Sequence, residues 1–343
     1  KQKTAYEISL GLVGSEMCIR DRDIMIPLLN SILTGSLYSL MALGLTLTYS
    51  IIRFPNFAHG EFITIGAYIA ILFSIIIPLS SILNLHPILT SIIILIISAI
   101  ITGICAVVTH LIIYRPLINR GSKLVYLMIA SLAVSIIIRY LIYIFVDIGR
   151  MFYKLYLFNI LPKMYFGETI KIAGFSLTPL FQVSVFATIF LVFLLQLLLT
   201  KTKLGKAMRA VANNSQLAAI SGIDISRITM LTWFISGSLT GLAGVLWANY
   251  VWATPTVGQK ALLSIFAASI IGGLTSFSGT VIGGYILGFS ENLLLSFLNQ
   301  WFNVSLSYKP MISFMIVVIV LITSPKGIAG INLRKIILKI RKR

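Results

Sequence analysis

Apolar residues run for about twenty positions at a time, again and again, between residues 24 and 324. About twenty residues at 1.5 Å rise cross roughly 30 Å of hydrocarbon. Such runs stand at 24–50, 60–80, 88–113, 124–146, 178–200, 229–252, 261–274, 278–299 and 310–324. A transmembrane barrel would alternate apolar and polar residues in segments of about ten, so the continuous runs exclude it. Only helices satisfy every backbone polar group within their own segment in lipid. The expectation is an all-α polytopic bundle of about eight to nine spans. The stretch 261–274 is short and glycine-ended, and would be either re-entrant or a full crossing.

Only 10% of residues are charged and 58% are hydrophobic, against about 25% charged in a soluble domain. The net charge of +18 sits in short segments between the runs, not in a polar domain with interleaved aromatics. Nucleic acid is therefore excluded as a partner, and membrane lipid is the expected surrounding. The segment 114–123 carries Arg115, Arg120 and Lys123, and 201–227 carries five bases against Asp224. The tail 326–343 has seven bases and no acid. The positive-inside rule places these three segments, and the C-terminus, in the cytoplasm of a plasma (inner) membrane. The loop 147–177 is then outside.

Residues 1–22 read differently. "KQKTAYEISLGLVGSEMCIRDR" holds three of the nine acids, and "SEMCIRDR" looks like a translated sequencing adapter. The expectation is a non-native segment at 1–22, a membrane domain at 23–330 and a basic tail at 331–343. Cys105 lies within a run, as a small core residue would, and Cys18 lies in the adapter-like stretch, so no disulfide or metal site is expected.

"RFPNFAHGEF" (53–62) interrupts the first two runs. Pro55 restricts Phe54 and stops a helix, Asn56 can cap the next one, and Gly60 permits close backbone approach. Glu61 then falls near a helix N-terminus, whose dipole favours an acid. The alternative is a discontinuous helix whose freed polar groups, His59 and Glu61 among them, line a translocation path. Ionisable residues in lipid are functional candidates by default. Glu291, at the end of a glycine-rich run, is one, with a structural hydrogen bond as its other reading. His86 reads as a loop residue and His110 as near a span end. Arg139 reads as snorkelling near the outer end of its span. Gly237, Gly241 and Gly244 share one helix face, and Gly283 and Gly284 continue the theme. Small residues of this kind let helices pack closely in lipid.

The segment 201–227 is too polar to cross. Leu204–Ala212 reads as a short helix, and Asn214 caps a second at about Ser215–Ser221. Gly222 ends that helix, and Asp224 or Ser226 starts the next element. Two helices presented between spans suit a docking peg, with small residues leaving a low-relief surface. A solvated loop whose bases only set topology remains the other reading. No G-x-x-x-x-G-K-[ST] phosphate loop occurs, so the chain does not hydrolyse ATP by itself.

Gly205, Ala207, Arg209, Ala210, Ala212, Asn214, Ala218, Ala219, Gly222 and Ile223 stand at the spacing of the coupling loop of ABC importer permeases. More narrowly, the segment resembles the branched-chain amino acid permeases of the LivH type. "NFAHGEFITIGAY", "GSLTGLAGVLWA" (237–248) and "IGGLTSFSGTVIGGYILGFSE" (271–291) resemble three further segments of that family, with Thr275 replacing a usual glycine and Thr280 a common alanine. The resemblance covers nearly all of 24–331. It implies a non-enzymatic permease subunit of an importer for branched-chain or related hydrophobic amino acids. It also implies a second homologous permease, two ABC ATPase subunits that carry ATP and magnesium, and an extracytoplasmic binding protein. Alternating access would be driven by the ATPases through Gly205, Ala207, Arg209, Ala210, Ala218, Ala219 and Gly222. Similar permeases also serve urea and short amides. The rivals are an ion-coupled secondary transporter using Glu61 or Glu291, and a passive channel; neither needs the 204–222 segment.

Overall fold

The computed structural model describes residues 5–328 except 155, 173–174, 306–307 and 325–326. The basic tail expected at 331–343 lies outside the described residues. Helix α1 runs Ala5–Ile52. After a break, α2 (His59–Ile71) continues into a π-helical turn, Leu72–Ile76. Then come α3 (Leu79–Leu83) and α4 (Pro87–Thr109). A π turn at His110–Tyr114 joins α4 to α5 (Arg115–Asn119), and α6 is Leu124–Tyr153. A small hairpin pairs β1 (Ile170–Ile172) with β2 (Phe175–Leu177), antiparallel, with Lys171 opposite Ser176. It leads into α7 (Pro179–Lys201), α8 (Lys203–Asn213), α9 (Ser215–Ile220) and α10 (Ile225–Val251). Last come α11 (Val257–Gly272), α12 (Phe277–Phe289), a π turn at Ser290–Leu294, α13 (Leu295–Phe302) and α14 (Lys309–Thr323).

The nine expected runs are all helical. Seven helical stretches are long and apolar enough to cross a membrane, and α11 and α14, at 16 and 15 residues, are the two short ones. The fourth run extends further than its apolarity suggests. Asp147, Gly149 and Arg150 end the hydrophobic pattern, yet α6 continues to Tyr153 and stops at Lys154 in the left-handed conformation.

Helices α1, α2, α10, α11 and α12 form the centre, while α4, α6 and α7 show most of their apolar windows at the outside. Ile96, Ile100 and Ile104 make an exposed stripe on α4, as do Phe186, Phe190 and Phe193 on α7. Exposed isoleucine and phenylalanine at helical spacing are what a lipid-facing helix carries, since lipid takes the place of a protein core there. Inside, small residues set the spacing. A Cβ on Gly237 would strike Ala106 of α4, one on Gly241 would strike Thr102, and one on Gly244 would strike the Ile63 carbonyl of α2. Gly283 meets Ala268 of α11, and Gly284 meets Ser39 of α1. Through these glycines α10 lies close against α2 and α4, and α12 against α1 and α11.

Candidate functional site

Helix α1 ends at Ile52, and Arg53 takes a left-handed φ of 64°. The Asn56 side chain folds back at once. Its Oδ1 accepts from the Ala58 N–H at 3.1 Å and from the Tyr114 hydroxyl at 3.0 Å. Asn56 therefore shapes the turn before α2, while the helix's own N-cap residue, Ala58, has no side-chain cap. Pro55 is half-buried at the start of that turn.

His59 opens α2 in the protein interior. Its Nε2 lies 3.0 Å from the Met41 carbonyl and 3.1 Å from Thr240 Oγ1. A carbonyl only accepts, and the Thr240 hydroxyl donates to Ser236, so Nε2 carries the proton. Gly60 lies flat against Gly258, where a Cβ on either would hit the other's carbonyl. The Gly258 N–H donates to Thr64 Oγ1 at 3.1 Å. The start of α11 is thus stitched to the start of α2.

Glu61 is buried, and its Oε1 gathers three donors. Arg139 contributes Nε at 3.1 Å and Nη2 at 2.5 Å, and Ser135 contributes its hydroxyl at 2.9 Å. Arg139 also donates to Ser135 at 3.0 Å. Both partners lie on α6. The snorkelling expected of Arg139 is therefore corrected: its guanidinium turns inward to a buried acid. This pair, with Ser135, is what the sequence reading missed. The signal was present, since Glu61 and Arg139 each stood as the one charged residue of an apolar run, the second and the fourth.

Glu291 forms a second, separate network. It lies within the π turn of a continuing helix, so the helix does not end there. Oε2 accepts from the Tyr38 hydroxyl at 2.7 Å, and Oε1 accepts from Ser264 at 2.8 Å and from Ser313. Next to it, Asn292 donates to Thr34 at 2.7 Å and accepts from Lys309 Nζ at 3.0 Å. Two adjacent residues thereby tie α12 to α1, α11 and α14. His110 stacks on Trp233 with ring centroids 5.3 Å apart, and His86 caps α4 through the Ile88 N–H.

The polar segment folds as two helices. Thr202 caps α8 through the Gly205 N–H, Asn214 caps α9 through Leu217, and Asp224 caps α10 through Arg227. Gly222, at φ 80°, makes the turn between α9 and α10. Met208 and Val211 of α8 and Ala218 of α9 plug into a cluster with Leu195 and Leu199 of α7 and Ile228 of α10. Gly205 is pressed on the Leu198 and Leu199 backbone, and Ala207 and Ala210 pack partly into the same cluster. Most of the small residues thus face inward. Outward stand Arg209, Ala219, Gly222, Leu217 at 64% exposure and Ile220 at 85%. The Arg53 guanidinium reaches the Ala212 carbonyl at 2.6 Å, linking this pair of helices to the break.

The model of the branched-chain amino acid transport system permease component family matches residues 28–321. The chain belongs to this family. It is similar to a probable branched-chain amino acid transport permease protein LivH of Methanocaldococcus jannaschii, with 34% identity over 94% of this chain and 97% of the relative. It is similar also to the high-affinity permease proteins LivH of Escherichia coli, at 30%, and BraD of Pseudomonas aeruginosa, at 31%; each alignment covers 88% of this chain and 94% of the relative. Among solved structures, PsaBC from Streptococcus pneumoniae in complex with Fab aligns over 88% of this chain and 92% of its own, with 15% identity and a TM-score of 0.43. The permease is a multi-pass membrane protein of the kind that serves as the membrane component of an ABC transporter.

Proposed function

We propose that this permease moves branched-chain or related hydrophobic amino acids into the cytoplasm. The substrate comes from an extracytoplasmic binding protein, and the power from two ABC ATPases bound at α8 and α9. A second homologous permease completes the membrane core. ATP and magnesium reside in the ATPases. The observation that carries this reading is the outward face of α9. Leu217 and Ile220 are apolar, exposed and outside the spans, on a peg whose opposite side is locked into the bundle. An apolar helical face of that kind fits a groove on another protein.

The same packing supplies a route for work. A push on the peg bears on α7 through Gly205 and on the end of α1 through Arg53. From there it reaches the turn that carries Asn56, His59 and Glu61. Rigid elements that shift together in this way support alternating access. Neither buried acid suits an ion-coupled cycle. Glu61 is neutralised by Arg139, and Glu291 is held by three hydroxyls from three helices.

The test reconstitutes the permease with its second permease, ATPases and binding protein in vesicles. Leucine-loaded binding protein is expected to stimulate ATP hydrolysis and uptake. Uptake driven by an ion gradient without ATP would overturn the reading. Stimulation by urea-loaded and not by leucine-loaded binding protein would move the substrate to amides.

A further inference from the structure

We propose that the cleft between α7 and α12 binds one anionic phospholipid, with its phosphate beside Arg53 and Arg209 and an acyl chain along the groove above them. Two cavities meet there. One, of about 560 Å³, lies at the α8 end of the bundle and is lined by Arg53, Arg209, Ser50, Thr200 and Thr232. The other, of about 500 Å³, is lined by Leu43, Val192, Phe193, Val281 and Ile282. Gln196, Phe277 and Ser278 line both, so the polar chamber opens into the apolar groove.

The chamber is built for an anion. Arg53 and Arg209 stand along its wall, with no acid among its lining residues. Arg53 spends one N–H on the Ala212 carbonyl, which fixes its head and leaves further donors. Helix α12 begins in the same wall, where Ser276 caps only the Gly279 N–H. The first amides of a 13-residue helix then add partial positive charge. The acids that flank these segments in sequence are engaged elsewhere: Glu61 is paired with Arg139, and Asp224 with Arg227.

The groove tells a lipid from a free phosphate. It extends from Gln196 to Thr188 on α7 and from Phe277 to Tyr285 on α12, about 12 Å along each axis. Because the helices run antiparallel, both polar ends lie at the arginines. Phe193 and Ile282 are exposed on the lipid-facing side of the bundle, so a chain can enter sideways from the bilayer. An amphipathic site with its head at the basic end matches a phospholipid of the leaflet that basic segments favour.

The test extracts the assembled transporter from vesicles of equal phosphatidylglycerol and phosphatidylcholine, and counts retained lipid by native mass spectrometry. Phosphatidylglycerol is expected to be retained and phosphatidylcholine is not. Arg53→Gln and Arg209→Gln should each weaken retention about fivefold, and Arg53→Lys should restore most of it. Ile282→Trp, which fills the groove and changes no charge, should weaken retention without altering the arginine face. Equal retention of both lipids would overturn the proposal. So would full retention in Ile282→Trp, or displacement by glycerol phosphate alone, either of which would make this a site for a soluble anion. Absence of lipid together with an Ile282→Cys cross-link to the second permease would assign the cleft to the subunit interface instead.

Discussion

Glu61 is the residue on which most of the interior geometry turns. It fastens α6, otherwise a largely lipid-facing helix, to the first turn of α2. Removing one member of a buried ion pair leaves the other charge without compensation. Arg139→Leu should therefore lower stability by about 3–5 kcal/mol, and a Glu61→Gln/Arg139→Leu double variant should recover most of the loss. Thermal unfolding of the detergent-solubilised complex measures both. A double-variant loss equal to the sum of the Arg139→Leu and Glu61→Gln losses would show that the pair is not coupled. The break itself was legible, because Pro55 acts on its own backbone and Asn56 on the Ala58 amide two residues on, although Asn56 and Gly60 also meet Tyr114 and Gly258 from distant segments. The pair was not. Its members lie 78 positions apart, and the hydrophobic pattern ends at Asp147. That ending drew Arg139 toward the edge of its span. In the helix as built it stands 139 − 124 = 15 residues from one end and 153 − 139 = 14 from the other.

At the scale of elements, α8 and α9 followed the sequence closely. Asn214 and Gly222 are local signals, a cap and a left-handed turn, and both act where they stand. Which face of the peg looks outward was less legible. Alanines at positions 207, 210 and 218 invite the idea of a smooth docking surface, yet close packing on α7 also needs small residues. The exposed pair Leu217 and Ile220 gives the sharper prediction. Leu217→Asp and Ile220→Asp should leave the permease folded, since neither side chain is packed, and should abolish co-purification with the ATPases. Normal co-purification and normal uptake in both would remove α9 from the docking surface. The π turns were not legible. Each inserts one residue into a helix that the hydrophobic pattern reads straight through. Two of them carry His110 and Glu291, which re-aims these side chains toward the core.

For the whole molecule, burial sorts the helices into a tight centre and a lipid-facing rim, and the distribution of bases predicts the direction. Single cysteines make that direction testable in whole cells, with Cys18 and Cys105 replaced. Ser221→Cys on the α9 turn should react with a membrane-impermeant maleimide only after the membrane is opened. Lys171→Cys in the hairpin should react in intact cells. The opposite pattern would invert the topology. Nine apolar runs were legible from their spacing along the chain, and among the described residues seven of them are helical stretches long enough to cross a membrane. The shortness of α11 was legible in the run itself, but its contact with Gly60 of a distant helix was not.

The pairing of early with late residues has a consequence for how the chain is made. Ribosomes deliver α2 before α6, α10 and α11, with the Asn56 amide just ahead of it and an imidazole and a carboxylate in its first turn. Arg139 emerges 78 residues after Glu61, Thr240 emerges 181 after His59, and Gly258 emerges 194 after Thr64. Until then Glu61 lacks its donors and Gly60 has no smooth backbone to lie against, and only His59 has a partner already made, the Met41 carbonyl of α1. The nascent permease must therefore hold α2 in a provisional position, shielded by insertion machinery or water, and seat it only when α6, α10 and α11 arrive.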